Sequence, residues 1–118
     1  MSVKKFLESW RWEGVTNLPY ADGEGFAGAT RKILVEGSEV ILRYFELEVK
    51  GFSRRERHPH EHAVIILRGT GEVLVGDAWT EVKPFDAVHI PGNVEHQLKN
   101  TGPEPFGFLC AIRPKTTS

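Results

Sequence analysis

The chain has 118 residues with 15 basic and 16 acidic side chains and a formal net charge of −1, a length that suits one domain built on one core. Balanced charge excludes a general electrostatic draw toward nucleic acid or anionic membranes, so function must sit in a local site. Cys110 is the only cysteine and so excludes an internal disulfide, and Glu8, Arg11 and Glu13 interrupt the opening segment before any apolar run long enough for a signal peptide or a membrane span; both features predict a cytoplasmic protein.

The opening residues predict either a short helix over 4–10 or an extended arm, with Phe6, Leu7, Trp10 and Trp12 covering a sheet. Residues 18–29 are rich in glycine and read as irregular, and RKILVE at 31–36 reads as a strand. VILRYFELEV at 40–49 and AVIILR at 63–68 carry the β-branched and aromatic residues of strands. Shorter apolar runs follow at 72–76, 79–82, 86–90 and 106–112, separated by turn residues at Gly69 and Gly71, Gly76 and Asp77, Pro84, 91–93 and 100–105. Many short strands punctuated by turns predict an all-β sandwich or barrel. The division expected is an N-terminal arm over 1–30 packed on the barrel, the barrel over 31–114, and a frayed tail over 115–118.

Period-two alternation places Ile41, Arg43, Phe45, Leu47 and Val49 on one face of their strand. An arginine on an otherwise apolar face needs a partner, because an unpaired buried charge is costly. Arg43 is therefore a candidate for binding a substrate carboxylate or oxygen, or else it pairs with a structural glutamate.

Of five histidines, His58, His60 and His62 lie in the run RERHPHEH, with His89 and His96 downstream. A turn at Pro59 predicts that Glu56 and His58 share a face, that His62 returns on the next strand, and that His60 is displaced toward the rim as a possible additional ligand. Imidazole and carboxylate donors of this kind suit a divalent transition metal: iron, manganese, nickel, copper or zinc. His89, inside an apolar strand, suits a hydrogen-bonding role better than ligation.

These residues resemble the two motifs of the cupin superfamily. The second motif reads PFDAVHIPGNVEHQLKN, with Pro91, Asn93, His96 and Asn100 at the family spacing, Phe85 in place of its first glycine and Asn93 in place of its second. Counting back six intervening residues from Gly69 puts His62 at the family's glutamate position and Glu56 and His58 at its His-x-His positions. The resemblance thus implies a double-stranded β-helix (jelly roll) whose metal ligands are Glu56, His58, His62 and His96, carboxylate and imidazole having exchanged places. It covers most of the chain and points to small single-domain cupins of the quercetinase-like or dioxygenase-like group. In these, positions matching Arg43, Phe108 and Cys110 line the cavity beside the metal, and homodimers are common. Alternation separately puts Phe106, Phe108, Cys110 and Ile112 on one face. Cys110 reads as a small pocket residue and not as a nucleophile, since no sequence neighbour would activate a thiolate. The function implied is a metal-dependent small-molecule enzyme of oxygenase type. The alternatives are a non-catalytic cupin that binds or senses a small ligand or metal, and a non-redox isomerase or lyase. AVIILR is apolar on both faces, so a second subunit or the N-terminal arm is expected to cover its outer side.

Overall fold

A computed structural model describes residues 1–21 and 23–114; the expected tail at 115–118 lies outside the described residues. Among the described residues, nine strands form one antiparallel sheet: β1 (Leu18–Pro19), β2 (Ala27–Glu36), β3 (Ile41–Phe52), β4 (His62–Arg68), β5 (Gly71–Val75), β6 (Ala78–Val82), β7 (Ala87–Ile90), β8 (His96–Asn100) and β9 (Phe106–Ile112). Along the sheet the order is β6-β5-β8-β3-β9-β4-β7, with β2 and β1 added on the free side of β3. The result is the all-β architecture expected from the strand pattern, curled as the jelly roll that the cupin resemblance implies.

The curl depends on β3, which serves both halves of the barrel. From Ile41 to Leu47 it pairs with β9, and at Phe52 it reaches Lys99 of β8. Between these stretches its register with β2 jumps from Ala29↔Leu47 to Ala27↔Phe52, and Lys50 adopts a left-handed φ of 68°. Such a bulge bends a strand and increases its twist, which is what passing from one half of a barrel to the other requires. Between the halves, β3, β4, β5, β6, β7, β8 and β9 contribute Leu47, Val64, Val73, Val82, Ile90, Leu98 and Phe106 to a continuous apolar core, which supplies the main driving force for folding.

The outer face of β3 is also covered. Tyr44 is fully buried, with the Trp10 ring stacked on it and Trp12 tilted against it, while Arg68 of β4 lies over Trp10. The N-terminal segment thus covers part of the outer surface of β3 and β4, although not as a helix. It folds back through left-handed Ser9 and Trp10, so that Phe6 bridges to Trp12. Gly107 on β9 has no room for a side chain because the Tyr44 phenol occupies that space.

Two sequence-based expectations need correction. The glycine-rich stretch at 18–29 is partly ordered: Leu18 and Pro19 pair with Arg31 and Thr30, and β2 starts at Ala27. HQLKN forms β8, which the strand pattern did not predict, because three of its five residues are polar yet buried. Their polar groups find partners. Gln97 donates to the Ser53 carbonyl, and the Asn100 amide donates to the carbonyls of Leu47, Glu48 and Glu104. A buried polar strand is stable when it is satisfied in this way.

Candidate metal centre

Register aligns inward-facing residues in rows across β2, β3, β9 and β4. One row runs Arg31, Phe45, Phe108, Ile66 and the next runs Ile33, Arg43, Cys110, Val64, while His62 pairs with Ile90 at the end of β4. From the other half, the chain beyond β3 runs beside β8, where Glu56 and His96 exchange both backbone hydrogen bonds. The Pro59 turn then brings His58 and His60 over the same end. Gly92 permits this, since a β-carbon there would meet the Pro59 carbonyl, and the Asn93 amide donates to the His58 carbonyl.

His58, His62 and His96 converge so that their ligand atoms all lie within 4.8 Å of one another. His62 and His96 are 7% and 6% exposed. The Val94 carbonyl, 3.0 Å from His96 Nδ1, can only accept, so a neutral His96 carries its proton on Nδ1 and keeps its lone pair on Nε2. His62 Nδ1 lies 3.1 Å from Cys110 Sγ, and its Nε2 is buried without a hydrogen-bond partner among the described residues. An orphaned imidazole nitrogen among other imidazoles fits a metal ion, and holding the second ring nitrogen is how proteins orient such ligands. Burial above all, and then the charges of His96, His60, Arg43 and His58, lowers the His62 pKa to about 3. Burial likewise lowers that of His96. Both rings are therefore neutral at physiological pH, the form that binds metal.

Glu56 stands beside this trio, with its Oε1 3.2 Å from His58 Nε2 and accepting a 3.5 Å hydrogen bond from the Tyr20 hydroxyl. Tyr20 lies in the stretch expected to be irregular, and no local pattern marked it as a site residue. The Arg54 amide donates to its oxygen, and burial raises its pKa, so the phenol keeps its proton. His60 stacks on His58 with ring centroids 4.8 Å apart and lines the cavity. His89 is outside it, exposed and paired with Glu61 at 3.1 Å.

The trio opens into a cavity of about 310 Å³ with Arg43, Phe108 and Cys110 among its lining residues. Arg43 Nη2 donates to Cys110 Sγ at 3.4 Å, and its guanidinium lies over the Phe45 ring. No glutamate pairs with it among the described residues, so of the two partners open to it the structural glutamate is not the one found. Cys110, without an activating neighbour in sequence, has Arg43 and His62 as neighbours in space, although burial still raises its pKa. Arg31 also lines the cavity, a residue that strand alternation did not single out.

Comparison with known proteins agrees with this architecture. The cupin domain family matches residues 43–112. A protein of Rhodospirillum rubrum named 1-methylthio-D-xylulose 5-phosphate methylsulfurylase is 42% identical over 114 residues, covering 92% of this chain and 72% of the relative. The crystal structure of a cupin-2 domain protein from Rhodospirillum rubrum superposes with a TM-score of 0.85 at 40% identity, covering 96% of this chain and 78% of the other. A conserved-barrel protein of Rhodopseudomonas palustris gives a TM-score of 0.88 at 35% identity, with 99% and 83% covered.

Proposed function

The chain belongs to the cupin domain family, and on that premise we propose that it is a metal-dependent enzyme acting on a small phosphorylated ketose that carries a thioether, the kind of compound specified by the name of its Rhodospirillum rubrum relative. The observation that carries this reading is the meeting of three imidazoles, ligand atoms within 4.8 Å, with the Arg43 guanidinium in one cavity of about 310 Å³. That volume suits a compound of sugar-phosphate size.

His58, His62 and His96, with Glu56 as fourth donor, would hold a divalent ion acting as a Lewis acid on carbonyl and hydroxyl oxygens. The remaining roles belong to the chain. Phe45, Val64 and Phe108 line the cavity and exclude water from the carbon skeleton. Arg43, fixed by the Phe45 ring and Cys110, orients an anionic or oxygen-bearing part of the substrate. Tyr20 holds a proton at its hydroxyl beside Glu56, where it can donate to either the carboxylate or a substrate oxygen.

The test is to load the protein in turn with manganese, iron(II), nickel, copper and zinc and to follow the S-methyl proton signal of 1-methylthio-D-xylulose 5-phosphate. Runs with and without oxygen, and with and without added thiol, complete the design. Consumption that persists without oxygen supports the proposal, and no consumption with any metal refutes it. Consumption only in air would assign the same histidines to oxygenase chemistry, and binding without turnover would assign the cavity to capture or sensing.

A further inference from the structure

Arg31 and Arg43 project from neighbouring strands on the same inward face, two register positions apart, since Arg31 pairs with Phe45 and Arg43 with Ile33. Side chains in this diagonal arrangement are close enough for two long residues to reach one group. Both line the cavity, and the Nε of each is buried without a hydrogen-bond partner among the described residues. Among the described residues, no carboxylate lies within ion-pair distance of either. A buried guanidinium Nε–H left without an acceptor is costly, and two sharing one pocket are more so.

We propose that Arg31 and Arg43 form a clamp for the terminal phosphate monoester of the substrate, beside the histidine cluster. Two uncompensated cations match a dianion better than a carboxylate, and the Nε–Nη edge of arginine presents paired donors to two oxygens. Arg43 is separated from His62 by only the Cys110 sulfur, with contacts of 3.4 and 3.1 Å. The phosphate and the metal-facing oxygens therefore belong to one short-chain molecule. This rests on the reading of the cavity as the substrate site.

The experiment measures binding of inorganic phosphate to the metal-free protein, by thermal shift and by phosphorus NMR line width, against chloride at matched ionic strength. Wild-type protein should show a saturable rise in melting temperature and a broadened phosphate signal. Arg31→Gln and Arg43→Gln should each weaken that binding about 10- to 100-fold, the usual cost of losing one charge-assisted contact. In chloride, Arg31→Gln should melt at or above the wild-type temperature, because it removes a half-buried cation that has no carboxylate partner among the described residues. No phosphate response in the wild-type protein, or wild-type affinity in both variants, would overturn the clamp. So would an Arg31→Gln protein that melts lower in chloride yet keeps its phosphate response, since Arg31 would then be structural. Phosphate binding that needs both arginines, in a protein inert toward the methylthio ketose, would sink the proposed reaction and leave the clamp standing.

Discussion

Acidifying the metal-free protein should destabilise it through His62 in particular. Its pKa falls from 6.5 in the unfolded chain to about 3 in the fold, chiefly through burial. Between those values the unfolded state binds a proton that the native state refuses, so stability is complete above the unfolded pKa and is lost as pH falls toward the folded one. Integrating that difference from about pH 7.5 to about pH 5 gives a loss of about 2 kcal/mol from His62 alone. His96 is shifted the same way by burial and adds to it. Urea denaturation of metal-free protein at several pH values measures the loss, with His62→Gln as control. The variant should lose most of the pH dependence whatever its absolute stability, and a divalent ion should oppose it in the wild type by binding only the folded form. A wild-type stability flat across this range, or an acid loss fully retained in His62→Gln, would refute the reasoning.

Glu56→Gln should weaken metal retention about 10- to 100-fold in competition with a chelator, while His60→Ala should leave it near wild type; the reverse ranking would show that His60 and not Glu56 is the fourth donor. Phe85 is 77% exposed and held at a φ of 74°, so Phe85→Gly should relieve backbone strain and, net of the flexibility of glycine, raise stability by about 0.5–1 kcal/mol, whereas Phe85→Ala should not. Asn100→Ala should cost about 2–4 kcal/mol in chemical denaturation, since it strips partners from the carbonyls of Leu47, Glu48 and Glu104 and from the Gly102 amide together.

What the sequence disclosed and what it hid follow from the same physics. Strands such as β4 and β9 announce themselves because apolar and β-branched side chains that must be buried give a periodic signal. The second histidine motif was equally legible. Asn93 and Phe85 stand at glycine positions of that motif, and both adopt left-handed backbone, with φ of 62° and 74°. The loop geometry is therefore kept even where glycine is not. β8 was hidden because the burial of Gln97 and Asn100 is licensed by carbonyls of residues 44 and 53 positions away, partners that no local pattern reveals.

Arg31 and Tyr20 were hidden for a related reason. Each gains its meaning from register: Arg31 turns inward because it faces Phe45 across a bulged strand pair, and Tyr20 meets Glu56 across 36 residues of sequence. Arg43 could be singled out because its own strand alternates cleanly around it, while Arg31 begins the apolar part of a strand whose earlier residues are small or glycine. The proposed metal ligands and the proposed phosphate clamp therefore differ in kind as sequence features. The ligands occupy fixed spacings within short segments, whereas the clamp exists only once β2 is laid on β3. Substitutions that shift the β2–β3 register by one residue would turn Arg31 to the outer face. They should abolish phosphate binding while leaving His58, His62 and His96 in place.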